Sequence, residues 1–273
     1  MHLSALNVYP VKSLRAVAVD AVEVDALGPV GDRRFLVVDP QGMFLTQRTL
    51  PAMARVSAAV SGEALFLRTD GLPDLRVRRE PDPAAPLVTV SVWKSENLQA
   101  EDCGAPAGDW LSRALGTPCR LVRAGSAFCR PVLKPDAAPG DVTGFGDSCP
   151  FLVVSEASLA DLNDRLQREG HAALPMDRFR ANLVVAGCGP HAEDTWKRFR
   201  IGDVVFRSAG PCARCVVTTT DQATGDRGVE PLRTLATYRR DPAKHSNVNF
   251  GHNLVNESKA GRLRVGDPVV LLE

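Results

Sequence analysis

Short stretches of alternating apolar and polar residues recur along the first third of the chain, a pattern that predicts strands with one buried face. They cover residues 2–24 and return near 53–60, 63–69, 74–78 and 87–93, separated by Gly, Pro and Asp. Many short strands at close spacing are typical of a β-barrel or a β-sandwich. The pattern therefore predicts a mainly β fold.

Two segments have helical periodicity instead. The first lies between Asp102, a possible N-cap, and Gly116, which would stop the helix. The second follows the apolar strand 151–154, begins after the N-cap Ser155 and ends near Gly170. We therefore expect a few helices packed on a β framework, an α+β variant of the mainly β class.

One long segment lacks any regular pattern. Residues 124–149 are rich in Pro and Gly and contain few signals for strands or helices. A loop of this length in a compact chain is often functional. We place the boundary between two halves just before it, with one domain over residues 1–120 and the other over residues 121–273.

Charge and composition exclude several classes of protein. The 273 residues carry a formal net charge of +1 and no polybasic run, so no nucleic-acid partner is expected. No stretch approaches the ~20 apolar residues of a membrane span, so no membrane partner is expected. The seven cysteines, an odd number, do not suggest a secreted disulfide framework. Together these features predict a soluble cytoplasmic protein.

Motifs of several common enzyme classes are absent. The sequence has no G-x-G-x-x-G, no Walker lysine motif and no G-x-S-x-G. Dinucleotide, P-loop and α/β-hydrolase sites are therefore not expected.

The most informative stretch reads PCARCVVTTTDQATG and covers residues 211–225. Cys212 and Cys215 are three positions apart, with Arg214 between them. The β-branched run 216–220 predicts a strand, which would place Cys215 at the entrance of that strand. A guanidinium beside a cysteine favours the thiolate, which is a soft metal ligand or a nucleophile.

The C-x-x-C spacing alone leaves four interpretations open. Structural zinc needs four ligands, and no second close Cys or His pair is present. A redox-active dithiol normally opens a helix, whereas poor helix formers follow Cys215. The two remaining interpretations are a pair of buried structural cysteines and a thiolate at Cys215 that binds a soft metal.

Four cations lie within about two residues of predicted strands, namely Lys12, Arg34, Arg180 and Arg214. Each could be a solvated charge at a strand end. Together they could also line an anion site, because lysine binds phosphate as a point charge and arginine as a bidentate fork. Ser148 could add a hydroxyl donor to such a site.

Several segments occur in an order that resembles a known family. They are YPVKS, DRRF, DSCPFLVVSEASLADLN, FRANLVV, the stretch from PCARC to TG, and GRLRVGDPVVLL, between residues 9 and 272. The chain resembles the MOSC proteins, and within them the subgroup with an N-terminal β-barrel half that includes the mitochondrial amidoxime reducing component and its bacterial relatives. This resemblance implies two β-barrel-like domains with a few packed helices. Residues 1–120 would form the MOSC N-terminal barrel, whose residues 9–34 contribute to the site, and residues 121–273 the MOSC domain.

The resemblance also implies a molybdenum cofactor (Mo–molybdopterin), with the thiolate of Cys215 as the ligand to the metal. The cofactor contacts carried over position by position are Lys12, Ser13, Arg34, Ser148, Cys149, Arg180, Asn182, the backbone of Ala213, Arg214 and Asn253. Asn253 stands where the members closest to the vertebrate proteins carry a tyrosine, so the substrate side of the pocket is expected to differ. Asp221 could relay protons as a catalytic residue, or it could simply form the turn that follows.

By the same resemblance, the expected activity is the reduction of N-hydroxylated compounds such as amidoximes, hydroxylamines and N-hydroxylated bases. The chain stops at Glu273, directly after the last predicted strand, without the iron–sulfur extension of some relatives. Electrons are therefore expected from a separate donor protein, similar to ferredoxin, flavodoxin or cytochrome b5, with its reductase. The alternative is a non-redox carrier of molybdenum cofactor or sulfur.

Overall fold

The structure, a computed structural model, describes residues 1–273. Its strands are β1 (His2–Val8), β2 (Val17–Val19), β3 (Ala21–Asp25), β4 (Gly28–Pro29), β5 (Phe35–Val38), β6 (Ser57–Ser61), β7 (Ala64–Arg68), β8 (Leu75–Arg78), β9 (Leu87–Val92), β10 (Ser95–Asp102), β11 (Arg120–Arg123), β12 (Phe151–Ser155), β13 (Leu183–Ala186), β14 (Arg198–Ile201), β15 (Val204–Ala213), β16 (Asn249–Asn256), β17 (Gly261–Arg264) and β18 (Val269–Leu271). The α-helices are α1 (Ala105–Leu115), α2 (Glu156–Arg168) and α3 (Leu232–Tyr238). Short 3₁₀ helices span Pro51–Arg55, Met176–Phe179, Ala192–Thr195 and Val216–Thr219. The mainly β prediction is confirmed.

The largest sheet joins both ends of the chain. Its eight strands lie in the order β18-β14-β15-β16-β12-β13-β1-β2, and β12 and β13 are the one parallel pair. Strand β3 pairs with β17 in a separate sheet. A cluster of 17 buried residues, including Phe151, Phe199 and Phe206, fills the space that these sheets enclose. The segment that follows β1 is therefore fixed against the C-terminal half of the chain. The domain boundary predicted near residue 120 stays a prediction.

The remaining N-terminal strands form two smaller sheets, ordered β5-β11-β10-β9 and β6-β7-β8. Strands β6 to β9 lie close to the four stretches predicted from alternation. Helix α1 covers this half with Trp110, which is buried and donates from Nε1 to the carbonyl of Pro73 at 2.6 Å. A buried tryptophan usually needs such a partner for its N–H.

The helix predictions hold with one correction. Ser155 caps α2 as predicted, because its hydroxyl accepts a hydrogen bond from the amide of Ser158 at 3.0 Å. Helix α1 ends at Gly116 as predicted, in the left-handed conformation with φ 69°. Its N-cap is Gly104, and the side chain of Asp102 instead accepts from the amide of Gly104 at 2.8 Å. No helix is long and apolar enough to cross a membrane.

The strand predicted over residues 216–220 is wrong. Residues Val216–Thr219 form a 3₁₀ helix, in which Thr218 and Thr219 donate from their hydroxyls to the carbonyls of Cys215 and Val216 at 3.0 and 2.8 Å. Such local side-chain bonds compete with strand pairing and override the β propensity of threonine. Cys215 therefore lies just beyond the end of β15, at the start of a tight turn, and not at the entrance of a strand.

Residues 124–149 contain no helix or strand, as predicted, and two buried charges fix their path. Arg130 donates to the carbonyls of Gly144 at 2.9 Å, of Gly146, and of Asp147 at 3.0 Å. Asp141 accepts from Arg207 at 2.6 Å and from Lys259 at 3.1 Å. The long loop is thereby tied to β15 and held in one shape.

We expect Asp141→Asn to destabilise the protein by about 2 kcal/mol at neutral pH, since it removes the charge from two ionic hydrogen bonds. Burial acts to raise the pKa of Asp141, but the Ala138 amide, Lys259 and Arg207 outweigh it and hold that pKa below the usual 3.8. The stabilisation is complete above pH 3.8 and is lost as the pH falls below it. Urea unfolding at neutral and acid pH measures the difference in the free energy of unfolding between the variant and the unmodified protein. This difference should shrink at acid pH.

The exposed carboxylate of Asp136, in the same loop, provides the matched control. Equal losses of stability in Asp136→Asn and Asp141→Asn would contradict the role given to Asp141.

Candidate functional site

A cavity of about 340 Å³ lies where the ends of β15 and β16 meet the long loop and the turn after β1. Ten of the residues predicted for the site line it, namely Lys12, Ser13, Ser148, Cys149, Arg180, Asn182, Ala213, Arg214, Cys215 and Asn253. These residues come from five separate segments of the chain. The structure therefore brings most of the predicted set to one place.

Arg34 does not line the cavity, contrary to the expectation that it contacts a bound cofactor. Its guanidinium points toward β3 and β4, where it donates to Asp25 at 2.7 Å and to the carbonyl of Pro29 at 3.3 Å. The preceding residue, Arg33, lines the cavity instead. The two side chains diverge because Arg33 lies in a turn with a left-handed φ of 44°, whereas Arg34 directly precedes β5.

Asp221 does not line the cavity either. Its Oδ1 accepts from the amides of Ala223 at 2.8 Å and Thr224 at 3.0 Å, and its Oδ2 accepts from Arg178 at 3.0 Å. The amide of Thr224 leads the contacts that hold the pKa of Asp221 below its usual value. The carboxylate forms the turn, and the structure offers no support for a proton relay through it.

Positive charge dominates the cavity wall. Its lining residues include one carboxylate, Asp147, and six cationic side chains, which are Lys12, Arg33, Arg48, Lys134, Arg180 and Arg214. One of the six, Arg33, is paired with the buried carboxylate of Asp32 at 2.6 Å. Such a surplus in a partly enclosed space attracts and holds an anion, and phosphate suits the forked geometry of arginine.

Asp147 is the point at which several of these groups meet. It accepts from Lys12, from Arg48 at 2.9 Å and from the indole Nε1 of Trp93 at 3.2 Å. The side chain of Asp147 is half-exposed. Desolvation by the surrounding protein acts to raise its pKa, yet the charges of Lys12 and Arg48 outweigh this effect and hold that pKa well below the usual value. Burial also lowers the pKa of Lys12 to about 8, against the opposing effect of Asp147. Sequence reasoning missed Asp147, Arg48 and Trp93.

The sequence contains one indication of a role for Asp147, since this residue directly precedes Ser148 in the DSCPFL segment. Its partner Lys12, however, is 135 positions away along the chain. Nothing in the sequence near Arg48 or Trp93 distinguishes these two residues from surface side chains.

Two of the arginines stack on one buried ring. The guanidinium carbons of Arg33 and Arg180 lie 4.2 and 4.3 Å from the ring centroid of Tyr9. The attraction between each cation and the ring offsets part of the repulsion between two like charges. Burial raises the pKa of Tyr9 to about 12, so the phenol stays neutral. Burial lowers the pKa of Arg180 to about 10, which leaves it charged at neutral pH.

The amide of Asn182 orients Arg33. Its Oδ1 accepts from Arg33 at 2.9 Å and from the amide of Leu152 at 3.3 Å. Its Nδ2 donates to the carbonyl of Asn7 and to Asp32, both at 3.1 Å. With these four bonds made, Asn182 acts on the cavity by holding Arg33.

The backbone of the cavity wall is strained. Six residues other than glycine have a left-handed φ, and four of them line the cavity, namely Ser13, Arg33, Trp93 and Arg180, with φ of 68°, 44°, 55° and 56°. Each such residue costs roughly 1 to 2 kcal/mol. Strain of this kind persists only where the surrounding structure enforces it, and it clusters at functional sites.

Cys215 offers a soft ligand at the cavity wall. Arg214 does not contact it, but donates to the sulfur of Cys212 at 3.0 Å. Arg48 also lines the cavity. Burial acts to lower the pKa of Arg48, but its contacts with Asp147 and Cys215 outweigh burial and raise that pKa overall. Burial raises the pKa of Cys149 to about 11, so this neighbouring thiol stays protonated.

The site contains an unsatisfied donor and lacks a zinc ligand set. The Nε of Arg214 is buried without a hydrogen-bond partner, which is costly unless a ligand accepts from it. The one group of three converging Cys, His or carboxylate ligands lies elsewhere, at Glu169, His171 and Glu230. Three cysteines, Cys149, Cys212 and Cys215, line the cavity among its cations, and no three Cys, His or carboxylate ligands converge there as structural zinc would need. A sulfur ligand among cations fits an anionic cofactor with a soft metal.

We expect Asp147→Asn to lower the pKa of Lys12 below about 8, because Asp147 raises that pKa against the effect of burial. An NMR titration of the lysine side chains, assigned with Lys12→Arg, measures the shift. Asp74→Asn removes an exposed ion pair with Arg68 outside the cavity and is the control. An unchanged pKa of Lys12 in Asp147→Asn would show that the two groups are not coupled.

The chain matches the descriptions of two protein domains, the MOSC N-terminal beta barrel domain over residues 1–118 and the MOSC domain over residues 140–270. It is 36% identical to mitochondrial amidoxime-reducing component 1 of Mus musculus and 35% identical to that of Homo sapiens, over 99% of this chain and 82% of each relative. It is 32% identical to the molybdenum cofactor sulfurase of Oryza sativa, over 98% of this chain and 35% of that protein. The chain therefore belongs to the MOSC family, in the branch that also carries the N-terminal β-barrel domain.

Proposed function

We propose that this protein is a molybdenum-cofactor-dependent oxidoreductase that reduces N-hydroxylated compounds. The observation that carries the proposal is a single cavity that combines the sulfur of Cys215, six cationic side chains and the unpartnered Nε of Arg214. The names of the mouse and human relatives, which align over nearly the whole chain, support the same activity.

In this proposal each part of the wall has one task. Cys215 ligates molybdenum, because a soft metal prefers a thiolate. The phosphate and pterin of the cofactor are held by the cations Lys12, Arg33, Arg180 and Arg214. Further contacts come from Ser13, Ser148, Cys149, Asn253 and the backbone of Ala213. The bound cofactor supplies two-electron redox chemistry, and the chain binds and orients it.

The overall reaction determines which electron source the protein needs. An N-hydroxylated compound takes up two electrons and two protons, its N–O bond breaks, and the products are the N–H compound and water. The one group of three converging ligands in the structure, Glu169, His171 and Glu230, contains no cysteine. We therefore assign the electrons to a separate donor protein, similar to ferredoxin, flavodoxin or cytochrome b5, with its reductase.

A non-redox carrier of molybdenum cofactor or sulfur is the second candidate. The name of the rice relative, molybdenum cofactor sulfurase, is what favours it, and this chain matches 35% of that longer protein. In a carrier, Cys215 would hold the cofactor or a persulfide for transfer, and no amidoxime would be consumed.

We expect Cys215→Ser to abolish the reduction of benzamidoxime. The variant should also lose the molybdenum–sulfur signal that the protein's cysteine contributes to the X-ray absorption spectrum. The purified protein, produced in a host that makes the cofactor, is assayed with a reduced dye as donor. Cys129→Ser, at an exposed cysteine outside the cavity, should keep full activity. Cofactor transfer without turnover by the unmodified protein would favour the carrier instead.

The two neighbouring arginines give a sharper test of the site. We expect Arg33→Met to lower the molybdenum and pterin content severalfold, because it removes a cation from the cavity. Arg34→Met should keep that content and lose only stability, because Arg34 pairs with Asp25 outside the cavity. Metal analysis and pterin fluorescence after oxidation measure the content, and thermal unfolding separates the loss of stability. The reverse pattern would contradict the placement of the two side chains.

A further inference from the structure

One tryptophan differs from the other two. Trp110 and Trp196 are 3% and 2% exposed, whereas Trp93 is 45% exposed and lines the cavity. Trp93 lies in the tight turn between β9 and β10. A large exposed aromatic residue in the wall of a cavity is a candidate contact for a ligand.

The position of the Trp93 ring is fixed. Its ring centroid is 4.8 Å from that of Phe44 in an edge-to-face arrangement, and the guanidinium of Arg48 stacks at 4.4 Å. Its Nε1 donates to Asp147 at 3.2 Å. The backbone holds the residue at φ 55°, a conformation that side chains other than glycine rarely adopt. The chain therefore presents a rigid, half-exposed aromatic surface at a local energetic cost.

This surface lies next to the proposed metal ligand. Arg48, which stacks on Trp93, is also the guanidinium beside Cys215. Trp93 and Cys215 line the same cavity, so a substrate at the metal site shares that cavity with the indole. Contacts to Phe44, Arg48 and Asp147 hold the ring in place, which preorganises it for stacking.

We propose that Trp93 determines substrate specificity by stacking planar, conjugated N-hydroxylated compounds, such as aromatic amidoximes and N-hydroxylated bases, in preference to saturated hydroxylamines. This inference rests on the proposed function. A flat π-system gains offset stacking on the indole, whereas a saturated chain gains only general apolar contact.

Steady-state kinetics test the preference with the cofactor-loaded protein and two probes, benzamidoxime and N-cyclohexylhydroxylamine. We expect Trp93→Leu to lower kcat/KM for benzamidoxime about tenfold, mainly through KM, because stacking is lost before the reaction. The value for N-cyclohexylhydroxylamine should change less than about twofold. Trp93→Phe should restore most of the benzamidoxime activity. Leu87→Ala, at an exposed apolar residue in β9 and outside the cavity, should change neither value.

Intrinsic fluorescence provides a second measurement that does not depend on turnover. Trp93 is the one exposed tryptophan, so benzamidoxime and its product benzamidine should quench the emission of the loaded protein in a saturable way. Trp93→Phe should remove this quenching, because Trp110 and Trp196 are buried. N-cyclohexylhydroxylamine should quench weakly.

Each outcome decides one question. Equal losses for both substrates in Trp93→Leu, or no saturable quenching of the loaded protein, would overturn the stacking proposal and leave the reductase proposal intact. If the unmodified protein reduces neither compound, the proposed function fails. Stacking is then decided by the fluorescence titration alone, where quenching by benzamidoxime that Trp93→Phe abolishes supports it.

Discussion

The structure depends on keeping six cations around one cavity with a single carboxylate among them. Like charges at this density repel, so each guanidinium or ammonium needs its own local compensation. Asp147 provides it for Lys12 and Arg48, Asp32 provides it for Arg33, and the ring of Tyr9 adds to it for Arg33 and Arg180. The Nε of Arg214 is buried and has no hydrogen-bond partner within the protein. The cavity is therefore built for an anion, whose binding would relieve a repulsion that folding alone leaves in place.

Holding these charges requires that distant parts of the chain be rigidly joined. Strand β1 pairs with β13, so the turn that carries Lys12 lies against the segment that carries Arg180 and Asn182. The loop that carries Asp147 has no secondary structure, and Arg130 fixes it through three backbone carbonyls. At Gly144 this loop approaches the backbone of Arg33 so closely that a Cβ would lie 2.8 Å from its carbonyl oxygen. The strained φ of Arg33 persists because neighbours on both sides confine it.

Much of the fold could be predicted from the sequence because short-range patterns decide it. The alternation over residues 53–93, the N-cap Ser155 and the stop at Gly116 each act within a few residues, and the structure confirms them. The strand predicted over residues 216–220 is wrong for a reason that also acts within a few residues. There, two threonine hydroxyls bond to nearby carbonyls and outcompete the strand that the β propensity of the run predicts.

From the residues alone the site was predictable only where a residue type by itself suggests chemistry, and the resemblance to the MOSC proteins supplied the other contacts. Cysteines in C-x-x-C and cations beside strands attract notice in any sequence, and ten of the predicted residues do share one cavity. The choice between Arg33 and Arg34 depends on which of two adjacent side chains faces inward, and no local pattern contains that information. Asp147 and Trp93 have ordinary sequence surroundings and acquire their roles through partners far along the chain. The groups that hold the cations in place, and so determine what the cavity can bind, are therefore visible only in three dimensions.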